Sequence, residues 1–147
     1  MMQKKSGILF QDDLMKILPH RPPMLLLDEG ERVGDVSACK YSVRGDEFFL
    51  QGHYPGNPVV PGVILCEMMA QASCLLVEKK DDGKAYTPYF TGMDKVKFKK
   101  MVKPGDCIML KSELTKQKGV FYFVKCAGYI NEELCCKAEI SFALIET

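Results

Sequence analysis

The sequence has almost no net charge, no apolar run of membrane length and only two histidines. Twenty Lys and Arg against nineteen Asp and Glu leave a net charge of +1, which gives no support to a general role on nucleic acids or membrane surfaces. The longest apolar stretch, residues 59–77, is interrupted by Pro61, Gly62 and Glu67 and is too broken for the roughly 20 apolar residues of a membrane helix. The N-terminus leads into no apolar signal core. We therefore expect a soluble, cytoplasmic protein.

Cysteine is abundant, but its spacing forms no metal site. The seven cysteines are odd in number and include no C-x-x-C pair, the spacing that is typical of zinc sites and redox motifs. Most of them stand among apolar neighbours, where a free thiol behaves as a small hydrophobic side chain. We predict reduced cysteines that pack in the core, as in a reducing compartment. A reactive thiol is the alternative.

The pattern along the chain predicts one domain over residues 1–147. The length suffices for a single hydrophobic core, and no linker, repeat or low-complexity segment divides it. A short helix is predicted to begin near Asp12 and to end at Pro19, and an extended strand is predicted over residues 33–43. Further strands are predicted over residues 89–93, 96–98, 107–114, 120–130 and 135–145, and their short turns favour antiparallel pairing.

A long helix is predicted from Pro61 to about Lys79, closed by the segment 79–83. It is apolar on nearly every side, so it has to be enclosed rather than laid on a surface. One thin polar stripe repeats at helical spacing, namely Glu67, Gln71, Cys74 and Glu78. One enclosed helix and five or six strands predict an α+β fold of the hot-dog type, in which a curled antiparallel sheet wraps around one long central helix.

His53 and Glu67 are the first candidates for chemistry. His53 lies in a proline-stiffened loop that runs into the long helix, whose free N–H groups near Gly62 are suited to stabilise an oxyanion. Glu67 lies in the second turn of an apolar helix, so we expect it to resist ionisation and to suit a general acid. The alternative is that Glu67 merely heads a solvated polar stripe. His20 stands in a proline-rich corner and is interpreted as a support for its loop.

Six blocks of sequence carry a resemblance to a known family. They are Leu-Pro-His-Arg at 18–21, Phe-Phe-Leu-Gln-Gly-His-Tyr-Pro at 48–55, Pro-Val-Val-Pro-Gly-Val at 58–63, Glu-Met-Met-Ala-Gln at 67–71, Gly-Met-Asp-Lys-Val-Lys-Phe at 92–98 and Val-Lys-Pro-Gly-Asp at 102–106. In this order, and over almost the whole chain, they resemble the 3-hydroxyacyl-[acyl-carrier-protein] dehydratases of bacterial fatty acid synthesis.

The resemblance implies dehydration of (3R)-3-hydroxyacyl-[acyl-carrier-protein] to the trans-2-enoyl thioester, with no metal or organic cofactor. His53 would remove the proton from C2, the amide of Gly62 would polarise the thioester carbonyl, and Glu67 would help the 3-hydroxyl group to leave as water. Tyr89 and Phe90 would line the acyl tunnel. Glutamate rather than aspartate at position 67 favours a plain dehydratase, although isomerase activity stays open.

The resemblance also implies partners. Each active site of a homodimer would take the histidine from one subunit and the glutamate from the other, and three dimers would assemble into a hexamer. The second partner is acyl carrier protein, which bears the 3-hydroxyacyl group on phosphopantetheine. We interpret Lys95, Lys97, Lys99 and Lys100 as its docking surface, because the carrier is acidic and alternation places the first three on one strand face. A solvated strand face is the alternative.

Two other functions remain open on the same fold. An acyl thioesterase would use a carboxylate to direct water at the thioester and would lack a paired histidine. A non-catalytic acyl-thioester-binding regulator would carry a DNA-binding segment, for which we expect no room before residue 10. The loop that contains His53 argues against both.

Overall fold

The computed structural model describes residues 7–78 and 82–147. The chain begins with strand β1 (Leu9–Phe10), helix α1 (Gln11–Ile17), strands β2 (Glu29–Val33) and β3 (Val36–Ser42), and a 3₁₀ turn at Phe48–Leu50. It continues with helix α2 (Gly62–Ser73), a 3₁₀ turn at Cys74–Leu76, and strands β4 (Tyr86–Phe98), β5 (Cys107–Lys118), β6 (Phe121–Ile130) and β7 (Glu133–Glu146). No described helix is long and apolar enough to cross a membrane.

The described strands form a single sheet in the order β1-β2-β3-β5-β6-β7-β4. Every neighbouring pair in this order is antiparallel. Helix α2 packs across β3, β5, β6 and β7, in the middle of the sheet, whereas β4 lies at the edge. The predicted α+β architecture, an antiparallel sheet around one central helix, is therefore confirmed.

The core lies between α2 and the sheet. Leu65, Met68, Met69 and Ala72 of α2 are buried. Alternate residues of the strands complete the cluster, among them Leu110, Tyr122, Val124, Cys126, Ala138 and Ile140. Val63, in contrast, is 74% exposed, and Glu67 and Ala70 are only partly buried. One chain therefore encloses most of α2 but leaves one stripe of it uncovered.

The prediction of a single strand over residues 33–43 is wrong, because the chain reverses direction within this segment. Gly34 has a φ of +62°, a conformation that favours glycine, and Val33 pairs with Val36 across the turn. The segment is therefore the end of β2, a tight turn and β3. The prediction misses β2 because that strand contains few apolar side chains.

The two strands predicted between Tyr89 and Phe98 are one strand, β4. Its register against β7 shifts twice, the second time between Asp94 and Lys97, and Lys95 has a φ of +53°. Such bulges interrupt the alternation of side chains without ending a strand. The simple alternation that predicted one common face for the lysines of this segment therefore does not hold through it.

Helix α2 ends earlier than predicted, at Ser73, and tightens into the following 3₁₀ turn. Of the predicted closing signal at residues 79–83, positions 79–81 lie outside the described residues. The polar stripe is not solvated, since Gln71 is 1% exposed and Cys74 is also buried. Glu67 is partly exposed, and the last member, Glu78, is exposed and pairs with Arg32 at 2.7 Å.

All seven cysteines are free, and six of them are buried. Burial raises the pKa of the Cys39 thiol to about 12 and is the main cause that raises the pKa of Cys126 to about 11. Thiols of this kind stay protonated at neutral pH and are poor nucleophiles. The environment of Cys39 and Cys126 is that of packing residues, whereas Cys107 is exposed.

Candidate functional site

His53 is held by hydrogen bonds within the loop that precedes α2. Its Nδ1 lies 2.9 Å from the carbonyl oxygen of Val59, and the N–H of Val59 donates to the carbonyl oxygen of His53 at 2.9 Å. The imidazole also stacks on Tyr54, with 4.1 Å between ring centroids. An Nδ1–H that donates to a carbonyl leaves Nε2 with a free lone pair, which is what a general base requires.

Helix α2 begins where this loop ends. The carbonyl oxygen of Pro61 accepts a bond of 2.9 Å from the N–H of Ile64, so the N–H groups of Gly62 and Val63 precede the helical hydrogen bonds. A Cβ at Gly62 would lie 2.9 Å from the ring of Phe98, so glycine allows this ring to approach the helix start. The terminus presents free donors and the positive end of the helix dipole.

Gln71 ties Glu67 to the loop that follows α1. Its side-chain oxygen accepts from the N–H of Leu26 at 2.9 Å. Its Nε2 donates to the carbonyl oxygen of Met24 at 2.7 Å and to Oε2 of Glu67 at 2.9 Å. The buried amide therefore uses both of its hydrogens and its oxygen, and it fixes one oxygen of the Glu67 carboxyl group.

His20 contacts the same carboxyl group, and the sequence alone does not predict this contact. Its Nε2 lies 3.3 Å from Oε2 of Glu67. The two residues are distant in sequence, and no spacing rule joins them. The only available signal is that both belong to the blocks at 18–21 and 67–71 that carry the family resemblance.

The prediction that Glu67 resists ionisation is wrong for this chain. Burial raises the pKa of the Glu67 carboxyl, but the hydrogen bonds from His20 and Gln71 outweigh burial and hold the pKa below its ordinary value. An ionised carboxylate accepts such donors more strongly than a neutral acid does. Burial is also incomplete, because the Glu67 side chain is 21% exposed.

A small cavity of about 40 Å³ lies beside Glu67. The described residues that line it are His20, Glu67, Ala70, Gln71, Cys74, Pro88, Tyr89, Phe90 and Phe142. The predicted tunnel residues Tyr89 and Phe90 are thus brought to Glu67, whereas His53 and Gly62 are not part of this lining. The volume is enough for a few water molecules but not for an acyl chain. One chain alone does not assemble the predicted set.

The four lysines predicted to dock the carrier protein are exposed. Lys95 and Lys100 form ion pairs with glutamates of β7, at 3.8 and 2.9 Å respectively. Lys97 and Lys99 form no ion pair within the part of the chain that the structure describes. These two therefore keep their full charge for a partner.

Within residues 7–78 and 82–147, no group of three or more His, Cys, Asp or Glu side chains is arranged to hold a metal ion. The side chains of His53 and Glu67 are suited to acid–base chemistry, and the start of α2 adds hydrogen-bond donors.

Known proteins resemble this chain over most of its length. Residues 18–139 match the FabA-like domain. The chain is 41% identical over 133 residues to the 3-hydroxyacyl-[acyl-carrier-protein] dehydratase FabZ of Caldicellulosiruptor saccharolyticus. This match covers 89% of this chain and 95% of that protein. It is 40% identical to the dehydratase FabZ of Clostridium perfringens, with coverage of 90% and 96%. The dehydratase heterocomplex ApeI:P of Xenorhabdus doucetiae matches the fold with a TM-score of 0.76, at 23% identity and with coverage of 88% and 89%.

The lowered pKa of Glu67 predicts how stability depends on pH. A folded-state pKa below the unfolded value of about 4.3 means that the ionised carboxyl stabilises the fold above that pH, and that this contribution is lost as the pH falls through the folded pKa. Wild type is therefore expected to be more stable than Glu67→Gln at neutral pH, with a difference that shrinks below about pH 4.

Denaturant unfolding of both proteins at fixed protein concentration, from neutral to acidic pH, measures this difference. Glu113→Gln, an exposed change on β5, controls for the loss of one negative charge. A stability difference that grows as the pH falls would contradict the lowered pKa of Glu67.

Proposed function

Because the chain belongs to the FabA-like family, and within it to the 3-hydroxyacyl-[acyl-carrier-protein] dehydratases, we propose that His53 and Glu67 carry out the dehydration in a site shared by two copies of the chain. The enzyme is a hydro-lyase of fatty acid biosynthesis that forms 2-enoyl thioesters on acyl carrier protein. The dehydratase relatives at about 40% identity over nine-tenths of the chain carry this conclusion, and they disfavour a thioesterase or a regulator. We also propose a single domain over residues 1–147 and a cytoplasmic location, which suits seven free thiols.

His53 is the proposed general base. The hydrogen bond between Nδ1 and the carbonyl of Val59 holds the ring and leaves Nε2 to remove the C2 proton of the substrate. The electron pair of the C–H bond then moves toward the thioester, whose oxygen gains negative charge. The N–H of Gly62, at the positive end of α2, is the proposed donor to this oxygen. No metal or organic cofactor enters this scheme, because the thioester itself acidifies C2.

Glu67 is the proposed general acid. His20 and Gln71 both contact Oε2, so Oε1 is the oxygen left to deliver a proton to the 3-hydroxyl group, which leaves as water. A carboxyl group acts as an acid only when it is protonated, and exclusion of the remaining water raises its pKa. We therefore assign its protonation to the substrate-filled site.

A second chain is proposed because strand β4 is an exposed, apolar sheet edge. Tyr89, Phe90, Met93 and Phe98 of this strand are each exposed by about half. An edge of this kind is a template for pairing with another chain. The uncovered stripe of α2, which begins at Val63, would be covered by the same contact.

The shared site follows from this pairing. Each of the two sites of the homodimer would combine His53 of one subunit with Glu67 of the other, and Tyr89 and Phe90 would line the acyl tunnel beside Glu67. A trimer of such dimers is the proposed full assembly. The arrangement is supported by the absence of His53 from the cavity at Glu67 in one chain.

Acyl carrier protein is proposed to dock on the lysines at and after the end of β4. Lys97 and Lys99 are exposed and lack an ion pair among the described residues, so an acidic carrier finds two uncompensated charges there. Lys95 and Lys100 have glutamate partners and are expected to contribute less. Such charges act mainly on association and on its dependence on salt.

The base assignment predicts the effect of His53→Ala. Enoyl formation from a 3-hydroxyacyl carrier substrate, followed by absorbance, is expected to fall by about 10²–10⁴-fold, the usual effect of losing an acid–base group. Gln51→Ala, an exposed change in the same loop, is the matched control and is expected to keep its turnover. Free thiol is measured in parallel, since thiol release without enoyl formation would instead indicate a thioesterase. Near-wild-type turnover in His53→Ala would remove the histidine from the mechanism.

The shared-site proposal predicts complementation between two inactive variants. Homodimers of His53→Ala or of Glu67→Gln carry a lesion in both sites and are expected to be inactive. A mixed dimer has one site with both lesions and one with none, so it is expected to regain about half of the wild-type activity if the sites act independently. The measurement uses co-expressed subunits with different tags, purified through both tags. Mixed dimers without turnover would show that both residues act within one chain.

The docking proposal predicts a defect that is selective for the carrier-bound substrate. Lys97→Glu with Lys99→Glu is expected to raise KM for the carrier substrate, because the acidic partner is repelled, and to leave a pantetheine or coenzyme A analogue largely unaffected. Lys40→Glu with Lys111→Glu, exposed positions on β3 and β5, is the charge-matched control. Equal effects of the first pair on both substrates would contradict docking at these lysines.

A further inference from the structure

His20 places one ring nitrogen on the Glu67 carboxyl group and buries the other. Nε2 lies 3.3 Å from Oε2 of Glu67, while Nδ1 is buried and has no hydrogen-bond partner among the described residues. Buried polar atoms without a partner are rare in folded proteins. The position of the ring therefore satisfies Nε2 through the carboxyl group but leaves Nδ1 without a hydrogen bond among the described residues.

The buried Nδ1 decides which nitrogen carries the proton of the neutral ring. With the proton on Nε2, the ring donates to the Glu67 carboxylate and leaves only a lone pair unmet on Nδ1. With the proton on Nδ1, a buried N–H lacks an acceptor and the lone pair of Nε2 faces a carboxylate oxygen. The first tautomer avoids both costs. His20 therefore acts as a hydrogen-bond donor toward Glu67.

Two donors then converge on one oxygen of Glu67. The Nε2–H of His20 and the amide of Gln71, at 2.9 Å, both point to Oε2. A proton on Oε2 would compete with these two N–H groups, whereas a proton on Oε1 does not. The neutral form of the carboxyl group therefore carries its proton on Oε1.

We infer that His20 is a positioning residue for Glu67, whose donated Nε2–H confines the acidic proton of the carboxyl group to Oε1, facing the 3-hydroxyl group of the substrate. This inference rests on the proposed function. In the reaction, the base removes the proton from C2, and the electron pair of that bond moves toward the thioester oxygen and then returns to form the double bond between C2 and C3. The C3–O bond breaks with its electrons on oxygen, and the proton on Oε1 completes the departing water.

The surroundings of Glu67 leave His20 as its nearest titratable group. Cys74 and Tyr89 are the other titratable side chains that line the cavity, and His53 of the partner subunit would face it in the proposed dimer. The neighbouring Arg21 is turned away, since its guanidinium donates to the carbonyl oxygens of Leu18, His20 and Met15 at 2.9, 2.8 and 3.0 Å. These bonds also fix the corner from which the imidazole reaches Glu67.

Two variants of nearly equal shape test this role. His20→Gln retains an N–H donor near the position of Nε2, whereas His20→Met fills similar space without one. We expect kcat of His20→Met to fall about 10-fold or more, since small losses of alignment cost up to about 10²-fold. We expect KM to stay within about two-fold, and His20→Gln to retain most of the wild-type kcat, because the donor acts on the proton and not on substrate binding.

A second readout follows the Glu67 carboxyl group directly. Carbon-13 NMR titration is expected to show a higher pKa of Glu67 in His20→Met than in wild type, because the carboxylate has lost a donor. In His20→Gln the pKa is expected to stay near the wild-type value. This measurement reports the contact between His20 and Glu67 whether or not the protein turns over substrate.

The outcomes separate this inference from the proposed function. The positioning role would be overturned if His20→Met kept the wild-type kcat and the wild-type pKa of Glu67. Equal defects in His20→Gln and His20→Met would also overturn it, and either result would leave His20 as a packing residue. Glu67→Gln is assayed beside them. Full turnover in Glu67→Gln would overturn the proposed acid, and the inference with it. Loss of turnover in Glu67→Gln with an unaffected His20→Met would overturn the inference alone.

Discussion

The enclosure of one apolar helix is the constraint on which the rest of this structure depends. Burial of side chains such as Leu65, Met68 and Met69 stabilises the fold by roughly 1.5–3 kcal/mol each. The sheet has to curve over α2 to cover them, and β4 is its edge strand next to β7. The sheet of one chain still leaves Val63 and part of Glu67 uncovered. The packing that makes the core therefore also leaves the partly exposed surface beside which Glu67, the proposed acid, lies.

The polar groups on α2 are exceptions to this apolar packing, and the loop between α1 and β2 satisfies them. Gln71 bonds to the backbone of Met24 and Leu26, and His20 meets the carboxyl group of Glu67. Each buried group left without its partner would cost about 1–3 kcal/mol. The bonds that hold this loop on the helix are thus the same bonds that orient the carboxyl group, so stability and catalytic geometry are coupled at this corner.

Local signals explain why most of the fold was predictable. Apolar periodicity predicts the strands β5, β6 and β7 to within a few residues at each end and the start of α2 to one residue, whereas α2 ends earlier than predicted. The β2–β3 hairpin is missed because β2 contains few apolar side chains and because the turn at Gly34 lies inside the predicted strand. His20 is missed because its contact depends on how the corner after α1 folds onto α2. The pKa of Glu67 is misjudged for the same reason, since burial is visible in the helix pattern whereas one of its two donors, His20, comes from a distant segment.

The balance between burial and hydrogen bonding at Glu67 determines at which stage of the proposed reaction its carboxyl group is protonated. In one chain the hydrogen bonds from His20 and Gln71 outweigh burial, so the pKa of the carboxyl group lies below its ordinary value. A second chain and a bound acyl group would add burial while the donors stay in place, so the pKa would rise as the site fills. The carboxyl group would then gain its proton when the 3-hydroxyl group is present to receive it. The hydrogen bonds from His20 and Gln71 oppose protonation of Glu67 in the single chain. In the substrate-filled site the same two bonds would direct the proton to Oε1.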